Sequence, residues 1–168
     1  MMDECGVDSL PVALASSLIV LAIIVGLAAL GLQNARPLVN TYTVDGQISM
    51  ISDDCNAMLA GSPRDILDPA SPPGATRAFT LSLPSDTEYV AFGSDPGSTD
   101  ASEGTIYYKV HGNKKAVVVD PLVRFRAAKE PGVLPSEGHK IINGGGRYEL
   151  KLEYEYDRAF DEKYIVVY

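Results

Sequence analysis

Tryptophan is absent from the 168 residues, and cysteine occurs only at Cys5 and Cys55. The two cysteines lie on opposite sides of a long apolar segment, described below, so they cannot form a disulfide within one chain. Neither has metal-ligand spacing to a second cysteine or a histidine. Because free cysteine is among the most buried residue types, we expect Cys55 to be a small apolar core residue.

Catalytic and cofactor-binding motifs are also missing. The sequence has no Gly-x-Ser-x-Gly turn, no phosphate-binding loop and no Gly-x-Gly-x-x-Gly fingerprint. His111 and His139 are isolated among turn residues, and the glycine run at residues 144–146 has the character of a flexible turn. We therefore predict no catalytic residue, no cofactor and no metal. An anchored envelope enzyme is the disfavoured alternative.

Ionisable side chains are missing from residues 10–32, which are almost entirely apolar. A bilayer core of about 30 Å needs roughly 20 apolar residues in a helix, and one central charge costs several kcal/mol. The segment therefore predicts a membrane-spanning helix. A cleaved secretory signal fits less well, because its leader would be basic and its apolar run shorter. A fully buried soluble helix is the remaining alternative.

Positive charge is absent ahead of Arg36, whereas Asp3, Glu4 and Asp8 crowd the first residues, and the whole chain carries a net charge of -8. An acidic surface repels nucleic acid, so no nucleic-acid partner is expected. Arg36 alone gives little information on orientation. Because long folded domains translocate largely regardless of charge, we place the C-terminal domain outside the cytoplasm.

A second, amphipathic helix is predicted at residues 34–61, after a bend near Pro37. Apolar residues recur there at steps of three and four, and Gly61 stands where a glycine cap is expected. The stripe is Val44, Ile48, Ile51, Cys55, Met58 and Leu59. Residues 62–76 are proline-rich and without period, which predicts a surface linker.

A period of two begins near Arg77 and predicts an antiparallel β-sheet or sandwich over residues 77–168. Gly112 and Asn113 mark a hairpin turn, a strand is expected at residues 122–126, and another at the chain end at residues 164–168. In the clearest strand, residues 148–156, one face is predicted to be covered and the other wet. The covered face holds Tyr148, Leu150, Leu152, Tyr154 and Tyr156, and the wet face holds Glu149, Lys151, Glu153 and Glu155.

Three surface features carry weaker signals. Residues 94–103 gather Asp95, Asp100 and Glu103, whose oxygens could bind calcium, but the order of an EF-hand loop is lacking and a solvated acidic loop is favoured. The three tyrosines of the clearest strand favour core packing, with a subunit contact as the alternative. Lys114, Lys115, Arg124 and Arg126 are interpreted as a solvated basic face.

Small residues lie on one face of the apolar segment. Ala22 and Gly26 form a small-xxx-small pair, and Ala29 lies near the same face. Such residues let helix backbones approach closely where lipid supplies no hydrophobic driving force. They therefore predict self-association through the N-terminal helix.

The order of these parts resembles archaeal type IV pilin-like proteins with a class III signal peptide. The matching parts are a short charged leader, Gly6 and Val7, an uninterrupted apolar helix, an amphipathic continuation and a small β domain. The resemblance implies a leader of residues 1–6 cut after Gly6, Val7 as the new N-terminus, and an assembly helix at residues 7–33. It also implies a homo-oligomeric surface filament whose subunits first sit in membrane lipid. A related possibility resembles archaellum stator-type accessory proteins: an uncleaved, single-pass chain whose β domain binds an envelope-layer or motor protein.

Overall fold

The computed structural model describes residues 9–98, 102–129 and 138–168, and it describes side chains from residue 12 onward. The regular structure of these residues consists of one helix and nine strands. The helix, α1, spans Ser9–Leu59. The strands are β1 Arg64–Asp65, β2 Thr76–Leu83, β3 Thr87–Phe92, β4 Thr105–Val110, β5 Asn113–Val118, β6 Val123–Ala127, β7 Lys140–Asn143, β8 Gly146–Asp157 and β9 Glu162–Val167. The predicted α+β class is confirmed.

The chain divides into two units between Val39 and Asn40. In the second unit, the strands form two sheets. Sheet A has the order β1-β8-β9-β6, with β2 also paired to β8, and sheet B has the order β5-β4-β3-β7. Sheet B is antiparallel throughout, but β1 pairs with β8 and β6 with β9 in parallel. Sheet A is therefore mixed, and the prediction of an antiparallel domain holds for only part of it.

Helix α1 is continuous where the sequence predicted a bend and a second helix. Pro37 lies inside it, and the helix ends at Leu59, two residues before Gly61. The predicted apolar stripe from Val44 to Met58 is confirmed, because its members are 0–3% exposed and pack with residues of both sheets in one core. Cys55 is fully buried there, as predicted. Burial of this stripe supplies the hydrophobic stabilisation that joins the helix residues of the second unit to the sheets.

The segment predicted as a surface linker is instead attached to sheet A. It contains β1, and the Ile66 N–H donates to the Tyr156 carbonyl at 3.1 Å. Its last residue before β2, Ala75, accepts a hydrogen bond from the Tyr154 N–H at 2.9 Å. A two-residue strand has no detectable period, so sequence patterning could not reveal it.

Strand β8 confirms the predicted alternation but contradicts the predicted wet face. Leu150, Leu152 and Tyr154 are buried as expected, whereas Glu153 and Glu155 on the opposite face are also fully buried. Arg64 and Gly74 of the linker segment contact the Glu153 carboxylate, and Tyr168 contacts that of Glu155. The β4–β5 hairpin is confirmed, but its turn lies one residue earlier than predicted: Asn113 already pairs with Val110, so the two turn residues are His111 and Gly112, at φ 49° and 76°.

Candidate functional site: the exposed apolar helix

The first part of α1 exposes apolar side chains on every side. Each large apolar residue from Val12 to Leu32 leaves 55–69% of its surface exposed. An amphipathic surface helix would show one buried stripe, and a helix that is apolar all round needs an apolar environment on all sides. Such a surface is typical of a helix that is surrounded by lipid or by other protein.

Length and composition make α1 the one candidate membrane span among the described residues. A signal sequence near an N-terminus passes the same test. The hydroxyls of Ser16 and Ser17 donate to the Ala13 carbonyl at 2.9 and 2.8 Å, so these polar groups are satisfied within the helix itself. Such internal satisfaction is what a segment in hydrocarbon needs.

The predicted assembly residues Ala22, Gly26 and Ala29 lie in this exposed part of the helix. A Cβ placed on Gly26 would meet nothing within 4 Å. Glycine in a helix interior is less stable than alanine by roughly 0.5–1 kcal/mol. Because a side chain at position 26 would clash with nothing in this chain, packing within the chain does not explain the glycine there. The predicted cleavage residues Gly6 and Val7 lie outside the described residues.

The acidic loop at residues 94–103 is not a cluster of free carboxylates in its described part. Asp95 is 3% exposed, receives a hydrogen bond from the Tyr89 hydroxyl at 3.1 Å and forms an ion pair with Lys114. Glu103 pairs with Arg124 at 3.1 Å and with Arg126 at 3.0 Å. The solvated-loop interpretation is therefore wrong for Asp95. Asp100 lies outside the described residues.

These contacts change the pKa values of the Asp95 group and its neighbour. The hydrogen bond from the Lys114 ammonium lowers the pKa of Asp95, and this effect outweighs desolvation, which acts in the opposite direction. Burial, followed by the hydrogen bond to Asp95, raises the pKa of Tyr89 to about 12. Asp95 therefore behaves as the anion of a local ion pair, and its charge is already balanced by a lysine.

The predicted basic face is divided between the two sheets. Lys114 and Lys115 lie on β5 of sheet B, whereas Arg124 and Arg126 lie on β6 of sheet A. Each of the four side chains contacts a carboxylate, Lys115 that of Asp45. Arg124 and Arg126 share Glu103, the two lysines pair with other carboxylates, and the four cations do not constitute one cationic surface.

The remaining sequence candidates fall in structural positions. His111 occupies the hairpin turn, and His139 is half-buried just before β7. Of the three tyrosines on β8, Tyr154 is buried in the core, Tyr148 packs against it, and the Tyr156 hydroxyl donates to Asp161 at 2.8 Å. In the part of the chain that the structure describes, no three His, Cys, Asp or Glu side chains are grouped so as to hold a metal.

Two carboxylates of β8 are fully buried where the sequence pattern predicts a solvated face. Glu153 contacts Arg64 of β1 at 2.7 Å, and the Tyr168 hydroxyl donates to Glu155 at 3.0 Å. Both glutamates stand in an alternating pattern that normally indicates a solvated strand face. Their covering segment is remote in sequence, so no local signal could have found them.

Comparison with protein-family models, curated proteins and solved structures gave no match to this chain. The fold and the exposed helix define its class: an α+β protein with one candidate membrane-spanning helix among the residues described.

Proposed function

We propose that this protein is a structural, pilin-like subunit of a surface filament, assembled through its N-terminal hydrophobic helix with the β domain exposed outside. The observation that carries the proposal is the apolar surface exposed all round α1 from Val12 to Leu32. A helix of this kind is held in the membrane by lipid before assembly and surrounded by other copies after it. Catalysis has no part in this function.

The small residues give the helix a means of self-association. Transfer from lipid to a helix bundle exchanges one apolar environment for another, so close packing must favour the assembled state. Gly26 has open space where a side chain would be, and Ala22 and Ala29 lie near the same helix face. We assign this face to contacts between copies.

The assembly face can be tested with a double variant, Ala22→Leu with Gly26→Leu, in the native cell. We expect loss of filaments in negative-stain micrographs of shed material, with the β domain still folded. A matched control is Ala28→Leu with Gly31→Leu, which changes the same residue types on roughly the opposite side of the helix. A Cβ placed on Gly31 would likewise meet nothing within 4 Å. Unchanged filaments in the first variant would contradict the assignment.

Topology is tested separately by adding protease to intact cells. The proposal expects digestion of the β domain, and a protected domain would place it in the cytoplasm.

A second candidate function is a stationary one: an uncleaved single-pass protein whose β domain binds a cell-envelope or archaellum component. The observation that favours it is Cys5 immediately before Gly6, in a leader that lacks the basic residue usual in the pilin-like pattern. Mass spectrometry of the mature protein separates the two functions. An N-terminus at Val7 supports the filament subunit, whereas retention of Met1 or Met2 supports the stationary anchor.

A further inference from the structure

The outer face of β8 carries two carboxylates that are removed from water. Glu153 and Glu155 are 0% exposed and, being two residues apart in one strand, point to the same side of the sheet. Glu153 Oε1 lies 2.7 Å from Arg64 Nε and accepts a hydrogen bond from the Gly74 N–H at 3.2 Å. Glu153 Oε2 is buried without a hydrogen-bond partner among the described residues.

Charged groups reach this face from several elements. Arg64 comes from β1, and Tyr168 follows β9 with its hydroxyl on Glu155. Lys151 of β8 lies over the Tyr168 ring at 5.7 Å. The neighbours paired with Glu153 are Thr76 on β2 and Val166 on β9, and Tyr164 on β9 is opposite Glu155. Arg64 is therefore the one cation in contact with Glu153 among the described residues.

The pKa of Tyr168 depends on the charges of Glu153, Glu155 and Arg64. Burial is the largest cause that raises the pKa of the Tyr168 hydroxyl, followed by the negative charges of Glu155 and Glu153. The positive charge of Arg64 acts in the opposite direction. The two carboxylates, the guanidinium and the phenol consequently form one electrostatic cluster.

The cover over this cluster is residues 62–75, which we name the strap. Few main-chain hydrogen bonds attach it to β8, because β1 is only two residues long and four strap residues are prolines. Strand β1 pairs with residues 155 and 156 of β8, further main-chain bonds lie at Ile66 and Ala75, and Gly74 packs so closely that a Cβ there would lie 1.9 Å from the Tyr154 carbonyl oxygen. The strap has two charged contacts among the described residues, and of these the Arg64–Glu153 ion pair is the buried one, because Arg158, which pairs with Asp65, is 70% exposed.

We propose that the strap is an acid-released cover of β8, held closed by the negative charge of Glu153. Protonation of this carboxylate leaves the Arg64 guanidinium, which is 19% exposed, beside a neutral group. Losing one partner of a buried ion pair is strongly unfavourable, because the remaining charge is desolvated and uncompensated. Arg64 regains hydration by moving outward, and β1 moves with it. The strap thus opens as the pH falls, while the core between the two sheets stays intact.

Hydrogen–deuterium exchange of the full chain in detergent micelles tests the proposal. Exchange of peptides within the strap is compared between wild type and Glu153→Gln, which keeps the size and hydrogen-bonding oxygen but removes the charge. At neutral pH, we expect the variant to lose strap protection by about 100-fold or more, the effect of breaking a buried pair. In wild type, protection of the strap is expected to fall as the pH is lowered, after correction for intrinsic exchange, and this pH dependence should be smaller in Glu153→Gln, which has no carboxylate to protonate at this position.

The matched control is Arg158→Met, which removes a different ion pair of the same strap. Arg158 is 70% exposed and lies 3.7 Å from Asp65 of β1, so its loss should leave strap exchange unchanged. Peptides from β3 and β4 report whether the core remains folded. Strap protection that is the same in Glu153→Gln as in wild type overturns the proposal. If that variant does not fold, the wild-type pH series decides, and pH-independent protection overturns the proposal equally.

Discussion

Gln47 of α1 forms two hydrogen bonds with the main chain of Ser82 in β2. The Ser82 N–H donates to Gln47 Oε1 at 2.7 Å, and Gln47 Nε2 donates to the Ser82 carbonyl at 2.7 Å. Because β2 pairs with β8 on its other side, the side-chain amide occupies the place of a neighbouring strand. It thereby satisfies backbone groups that would otherwise form an open sheet edge.

Replacement of this amide should weaken the attachment between α1 and β2. For Gln47→Ala, we expect the free energy of unfolding to fall by about 1 kcal/mol, since the freed Ser82 groups can bind water. Urea denaturation in micelles, followed by far-ultraviolet circular dichroism, measures the change. Gln33→Ala removes the other glutamine of the chain, which is exposed, and should change stability by less than about 0.5 kcal/mol. Equal midpoints for the two variants would contradict this role.

Gly74 is fixed by close approach of two backbones. A Cβ at this position would lie 1.9 Å from the Tyr154 carbonyl oxygen and 2.8 Å from Arg64 N, neither of which can rotate away. We expect Gly74→Ala to destabilise the protein by about 2–3 kcal/mol, as overpacking does. Gly46→Ala is the control, because a Cβ there meets nothing within 4 Å and alanine favours a helix by about 0.5–1 kcal/mol. Thermal denaturation of both should therefore show shifts of opposite sign.

How far the sequence predicts this fold depends on how local each signal is. The buried stripe on α1 and the exposed helix before it follow from nearest-neighbour periodicity and from the lack of charge, and both are present. The alternation of β8 is an equally local signal and is predicted by the sequence, whereas the burial of Glu153 is not. Its contact with Gly74 spans 79 residues of sequence. The strap that provides this contact has no periodic pattern of its own.

The same distinction applies to the candidate site. The apolar surface of the first part of α1 follows from composition, whereas the partners of Asp95 and Glu103 come from β5 and β6. A pattern of charges in one loop cannot show which distant cations neutralise it. The sequence favours a solvated acidic loop over calcium binding, and neither interpretation includes the ion pairs of Asp95 and Glu103.

The β4–β5 turn can be improved by a residue that favours positive φ. His111 has φ 49° and Gly112 has φ 76°, the pattern of a two-residue hairpin that prefers Asn-Gly. We expect His111→Asn to stabilise the protein by about 0.5 kcal/mol, since asparagine adopts this conformation more readily. His111→Val should instead cost about 1–2 kcal/mol, because a β-branched side chain is strained there. Urea midpoints that fail to follow this order would contradict the turn assignment.

The ion pair between Asp95 and Lys114 makes stability depend on pH in a definite direction. The pKa of Asp95 is lowered in the folded protein, chiefly by its bond to Lys114. The folded state therefore binds fewer protons than the unfolded state over the interval between the two pKa values. The stabilisation is present above the unfolded pKa and is lost as the pH falls through the folded pKa.

Lys114→Gln tests this dependence, because it removes the ammonium and leaves a side chain of similar size. We expect a higher pKa for Asp95 by carboxyl NMR titration, lower stability at neutral pH, and a smaller loss of stability on acidification. Lys109→Gln is the matched control, since Lys109 lies 2.6 Å from Glu88, whose side chain is 44% exposed, against 2% for Asp95. Water screens the exposed pair, so its removal should have the smaller effect. A Lys114 variant whose stability profile matches wild type at every pH would show that the ion pair contributes nothing to folding.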